Sequence, residues 1–234
     1  LLELFKKHPY EKNQILATSN GEKYFAIMLT NGNIGVCSNL DSIVINESTD
    51  EILVNPDFNS YPHRIVVTAW INACCNYSET VNGKLDISQA IDFTNYSSVV
   101  MVGYFGSLTE KLLEKSVNLT IFDLKEEEKP VTPMSKQIDA VKAADCLIIT
   151  STSITNKTYA NLLENSTPEC HIYLLGPSTP ITSFLFSLPN IYGLFGSRFM
   201  PFDFEVLNTI TQGGGTRSFL GRMEKVYKIN SPTK

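Results

Sequence analysis

Clustered positive charge is missing from this chain: 19 Lys and Arg stand against 24 Asp and Glu, a net charge of −5, and no dense basic stripe occurs. Nucleic acid and anionic membrane surfaces both demand such a stripe, so neither is expected as a partner. Long apolar runs are missing as well. The longest, such as residues 98–105 and 146–150, fall far short of the roughly 20 residues needed to span a bilayer. No C-x-x-C pair accompanies the five cysteines Cys37, Cys74, Cys75, Cys146 and Cys170. An odd set of thiols inside apolar segments reads as small buried hydrophobes in a reducing compartment, and Cys74 and Cys75, about 100° apart on a helix, are poorly placed to share an ion. HExxH, Walker A and G-x-S-x-G patterns are absent, which removes support for zinc-protease, P-loop and hydrolase-elbow chemistry. Histidine is scarce, and His8, His63 and His171 have no carboxylate at a recognisable spacing. The chain opens at Leu1 without a charged segment and apolar core, so a signal peptide is absent or already removed, and a cytoplasmic location is expected.

What is present can build a core: 43% of the 234 residues are hydrophobic and 10% aromatic, enough for one large or two modest domains. In the first part, strand-like runs at 14–18, 23–30 and 34–38 are separated by turn chemistry at Ser19-Asn20-Gly21-Glu22 and Asn31-Gly32-Asn33. Between Arg64 and Cys75 the apolar residues Ile65, Val66, Ala69, Trp70 and Ala73 recur at helical spacing, which predicts an amphipathic helix lying on that sheet. Polar residues around Asn82-Gly83 place a boundary near residue 85, giving units 1–85 and 86–234.

The second unit changes rhythm. Short apolar strands at 98–102, 119–122, 146–150 and 171–175 alternate with helices at 108–115, with Thr109 as a cap, at 135–144 and from Thr158 onward. The fold class is therefore α/β, a Rossmann-like parallel sheet covered by helices and preceded by a small α+β domain. Right-handed crossovers bring the strand-terminal loops to one edge. The acidic run Glu126-Glu127-Glu128 before Lys129-Pro130 reads as a solvated loop.

Three Gly-rich loops carry the functional signal: GYFGS from Gly103, GPSTP from Gly176 and GGGT from Gly213. Such loops let backbone N–H groups approach a polar or anionic ligand. Gly103, Phe105 and Gly106 follow the first parallel strand, and Asp123 ends the second, roughly where a ribose-binding acid belongs in dinucleotide folds. The G-x-G-x-x-G spacing is not met. Thr150, Thr152, Asn156 and Thr158 supply hydroxyls and an amide after the third strand, and could orient a ligand or cap a helix. Gly176, Pro177, Ser178 and Thr179 follow the fourth, with Ser178 or Thr179 before Pro180 matching a helix cap. Gly213, Gly214 and Gly215 form either a flexible turn or a ligand-facing loop.

The order VVMVGYFG, a strand closing on Asp123, ADCLIITSTSITNKT, LLGPSTP and GGGT resembles the C-terminal Rossmann-like domain of the family described as "Putative heavy-metal chelation". Residues 24–38, with the helix carrying Asn72-Ala73, are similar to the enolase N-terminal-like domain that accompanies it. The resemblance implies a pocket between the two domains, lined by the four loops, and a divalent or heavy metal as the associated ion. The loop edge itself offers hydroxyls, backbone and Asp123 rather than soft donors, so a metal would arrive bound to an organic ligand. The expected partner is thus a small polar or anionic molecule or a metal chelate, with a homo-oligomer as a further expectation. The rival reading is an enzyme using S-adenosylmethionine or NAD on the same strand edge.

Overall fold

Where the chain alternates β-branched runs with turn residues, it forms two sheets, and a computed structural model describes residues 1–126 and 130–230 of them. A short helix α1 (Leu2–Lys7) leads into a meander of β1 (Ile15–Asn20), β2 (Tyr24–Leu29) and β3 (Ile34–Ser38), antiparallel throughout in the order β1-β2-β3. Gly21 lies so close to the Ile210 carbonyl, and Gly35 to the Ala69 carbonyl, that a Cβ at either would collide with backbone. The helix α2 (Thr49–Val54) starts with a Ser48–Glu51 capping box, and α3 (Tyr61–Ser78) follows with Pro62 in its first turn.

The helix predicted as amphipathic is buried on nearly every side. From His63 to Ala73 each residue of α3 is buried, because β2 and β3 cover one face while the loops of the second sheet cover the other. Its polar residues therefore sit inside. The Asn76 amide donates to the carbonyls of Thr179 (3.2 Å) and Ser197 (3.1 Å) and accepts from Ile181 N (2.7 Å). Buried polar groups need such partners, and here the partners join the two halves of the chain. One apolar core likewise runs through Ile65, Val66 and Trp70 on α3 into Leu147, Ile149 and Leu174 of the second sheet.

After α4 (Ile87–Ala90), β4 (Val99–Val102), α5 (Gly106–Glu114), β5 (Leu119–Phe122), α6 (Gln137–Ala143), β6 (Cys146–Thr150), α7 (Thr152–Thr155), α8 (Tyr159–Asn165) and β7 (His171–Leu175) alternate as expected. Then come β8 (Ile191–Phe199), α9 (Phe204–Thr211), α10 (Thr216–Phe219) and β9 (Met223–Ile229). The sheet order is β5-β4-β6-β7-β8-β9, parallel except for β9. Residues Glu127, Glu128 and Lys129 of the acidic run lie outside the described residues.

Three local expectations are corrected. Thr109 does not cap α5: the helix begins at Gly106, and Thr109 is buried within it with its hydroxyl 3.9 Å from Met101 Sδ. A short 3-10 turn, Met134–Lys136, precedes α6 instead of an α-helix from Ser135. Pro180 opens no helix. The next turn is a 3-10 segment, Ser183–Ser187, capped by Thr182. Pro180 and Ile181 are buried instead, and Asn76 of α3 takes the Ile181 N–H that a helix would have left free.

The outer face of the small sheet is covered from the other end of the chain. Tyr24, Ala26, Met28, Ile34 and Val36 pack with Phe199, Val206, Leu207, Ile210 and Phe219. That explains why every residue of β2 is buried. No helix among the described residues is long and apolar enough to cross a membrane.

Candidate functional site

Strand order dictates where a ligand can sit. Between β4 and β6 the connections leave in opposite directions, so a crevice opens outside their C-terminal ends, where open α/β sheets bind ligands. Gly103 stands there with φ 97°, a left-handed value that favours glycine, and a Cβ would lie 2.8 Å from the Thr150 side chain. The loop after β4 is thereby pressed against the end of β6. The Thr150 and Thr152 hydroxyls are 3.1 Å apart. One strand further, Gly176 has φ 128° and open space where a Cβ would point. Gly103, Phe105, Gly106, Thr150, Gly176 and Pro177 are all half-buried, so this part of the rim is reachable.

The polar groups nearby have partners already. Asp123 Oδ2 accepts from Tyr104 N at 2.7 Å and Oδ1 from Lys125 N at 3.0 Å, so the carboxylate ties the β4 loop to the end of β5. Asn156 Oδ1 accepts from both the N–H (3.1 Å) and the hydroxyl (2.7 Å) of Thr158, closing the turn into α8. The sequence reading missed how deeply the middle of the rim is covered. Ser151, Thr152, Ser153, Thr155, Ser178 and Thr179 are buried. Ser151 and Thr179 share a hydrogen bond, and Ser178 Oγ accepts from Ser38 N at 2.9 Å. Arg64 Nε donates to the Thr155 carbonyl.

Beneath this cover the Cys37 thiol is pushed up to about 12 by burial, opposed by the surrounding hydroxyls of Ser178, Thr68 and Thr155. A fully buried neutral thiol is inert as a nucleophile or ligand. Thr68 Oγ1, Asn72 Oδ1 and Ser153 Oγ are buried without a hydrogen-bond partner. The signal for this seam was present in the sequence as Arg64, Thr68, Asn72 and Asn76, polar residues at every fourth position of a helix.

The GGGT loop belongs elsewhere. Gly213 ends α9 with φ 78° and faces Glu22, and Gly215 lies against the Lys23 side chain. Gly214 packs on Thr209 of α9. This loop reaches the rim only indirectly, through the Thr216–Tyr24 hydroxyl contact of 2.7 Å and the Tyr24–Ser38 strand pair. Among the described residues no three His, Cys, Asp or Glu side chains are grouped to hold a metal ion. The rim's donors are hydroxyls and peptide groups, which do not fit direct coordination of a soft metal.

An open sheet with five parallel strands, an antiparallel edge and Gly-rich loops at the switch point defines a doubly wound α/β protein, here joined to a meander and its covering helix. Residues 86–229 match the model of the domain family DUF364, described as "Putative heavy-metal chelation", and the chain belongs to that family. A crystal structure of a DUF364 protein of unknown function from Pyrococcus horikoshii superposes with a TM-score of 0.81 at 17% identity, covering 98% of this chain and 96% of that one. One from Desulfitobacterium hafniense DCB-2, also of unknown function, gives 0.76 at 20% identity, covering 98% and 99%. These likenesses establish the fold. A comparison with curated proteins finds no match.

Proposed function

We propose that this protein binds a small polar or anionic molecule, or a metal held by such a molecule, at the reachable part of the rim formed by Gly103–Gly106, Thr150 and Gly176–Pro177. The observation that carries the reading is the pair of left-handed glycines at the ends of β4 and β7, one pressed on Thr150 and the other facing open space. With no Cβ at either position, a ligand can approach the backbone closely beside the Thr150 hydroxyl, which suits a small polar molecule or a chelate's oxygen atoms. Family membership supports metal handling, and the donor chemistry favours a metal that brings its own ligands. The division into units 1–85 and 86–234, and the likeness of the first to the enolase N-terminal fold, are part of this proposal.

The test is thermal unfolding of chelator-treated protein with divalent metals alone, the same metals as citrate complexes, citrate alone, S-adenosylmethionine and NAD. A ligand at about 100 times its dissociation constant adds about 2.7 kcal/mol, a readily measured shift. A shift with citrate or its metal complexes that Gly176→Val abolishes is the expected result. No shift with any of these, or one that Gly176→Val leaves intact, overturns the proposal.

A further inference from the structure

Two cations meet at one residue where the first unit touches the α7–α8 loop. Arg64, only 7% exposed, directs Nε to the Thr155 carbonyl and Nη1 to the carbonyls of Phe58 (3.0 Å) and Asn59 (2.8 Å). Lys157 directs Nζ to the side-chain oxygen of the same Asn59 at 3.0 Å. Neither forms an ion pair with a carboxylate among the described residues. Asp57 acts on Arg64 only through space and is itself engaged by Asn59 N at 2.8 Å. The Tyr61 ring lies beside the guanidinium at 5.6 Å. Arg64 Nη2 has no hydrogen bond within the protein, so two N–H donors of a rigid fork are left over. Lys157 is held at φ 65°, a backbone value that favours glycine or asparagine, and yet this position carries a cation.

Burying a cation without a contacting carboxylate is costly, and a bound anion offsets that cost. We propose that Arg64 and Lys157 form an oxyanion site that takes the carboxylate or phosphate group of a small molecule where the 57–64 segment meets the α7–α8 loop. It goes beyond the preceding reading, because the α7–α8 loop that carries Lys157 between Asn156 and Thr158 is not among the rim residues proposed there. Arg64 supplies a planar fork fixed by three backbone carbonyls, and Lys157 a point charge at the solvent side.

The probes are inorganic phosphate and succinate, titrated calorimetrically at fixed ionic strength against a chloride control. Saturable binding of at least one is expected. Lys157→Gln, at an exposed position, should weaken it about tenfold, the usual effect of losing one charge-assisted hydrogen bond. Arg64→Lys, which keeps the charge but not the fork, should weaken it as well, with folding checked by circular dichroism. Phosphate binding without succinate binding assigns a phosphate ligand, and the converse a carboxylate. No saturable binding, or unchanged affinity in Lys157→Gln, overturns the site. If citrate–metal complexes still shift unfolding while phosphate and succinate do not bind, this inference fails and the rim reading stands. If phosphate binds but Gly176→Val leaves the citrate response intact, the reverse holds.

Discussion

The two ends of the β4–β6–β7 rim carry the same chemistry in sequence and opposite roles in the fold. On one side Gly103, Thr150 and Gly176 are half-buried and approachable. On the other, Ser151, Ser153, Thr155, Ser178 and Thr179 lie under α3 and the end of β3. Hydroxyls in a loop after a parallel strand are thus ambiguous. Where another part of the chain lies over them they become a seam that fastens α3 to the second sheet, and where nothing does they stay open to solvent. Asn76 shows the first outcome, with three hydrogen bonds spanning from α3 to the 179–181 loop and β8.

The largest effect should therefore come from breaking the covered side. Asn76→Ala removes these three buried hydrogen bonds and a weaker one from the Cys75 thiol, and leaves two carbonyls and an N–H unpaired, so a loss of about 3 kcal/mol in urea unfolding is expected. A loss under about 0.5 kcal/mol would show that the seam contributes little and that the contrast between the two sides is one of geometry alone. On the open side the effects separate by strain. Gly103→Ala must accommodate both φ 97° and a collision with Thr150, for about 2 kcal/mol. Gly176→Ala meets open space at φ 128°, for about 1 kcal/mol. Equal losses in the two variants would remove the argument that one glycine is needed for packing and the other for access.

Acid should loosen the contacts that Glu79 and Asp86 make with β9. Burial pushes the Glu79 carboxyl up, but Lys228 and the backbone and hydroxyl of Ser183 outweigh it and hold the group at about 2, below its ordinary 4.5. Asp86 is likewise raised by burial and brought to about 2, below 3.8, by Lys225 and Ser88. Both groups bind protons more weakly in the folded state. Their stabilisation is present above the unfolded-state values and is lost as pH falls from about 4.5 towards 2, amounting to about 1 kcal/mol each after solvent screening. Glu79→Gln should flatten the stability–pH curve in that window, and an unchanged curve would remove Glu79 from the account.

Strand positions were legible because β-branched runs closing on Gly or Asp leave little choice: β4, β5, β6 and β7 fall within a residue of where the pattern puts them. The strand β8 is not signalled, since Gly193 and Gly196 interrupt it. The structure gives the reason: a Cβ at either would lie 2.7 Å from the Tyr173 ring or from the Thr179 carbonyl. These glycines serve close packing of neighbours that the local sequence does not contain. The same holds for the site. Gly103 and Gly176 were readable as turn residues, whereas the engagement of Asp123 by Tyr104 N and the burial of Thr155 under Arg64 depend on residues distant in sequence.

The smallest predicted effect is also the sharpest in sign. Thr68 Oγ1 lies inside the seam with no well-formed hydrogen bond, its polar neighbour being the weakly accepting Cys37 thiol. A buried hydroxyl without a partner is a net cost, and valine has nearly the same shape without it. Thr68→Val should therefore stabilise the protein by about 0.5–1 kcal/mol, read as a shift in the urea midpoint at constant slope. Destabilisation of similar size would mean that the hydroxyl is satisfied by an internal water, which needs two to four polar partners and would find them in Thr68, Asn72 Oδ1 and the Thr155 and Ser178 hydroxyls. In that case the covered side of the rim is hydrated, and its difference from the open side lies in exchange with solvent rather than in the presence of water.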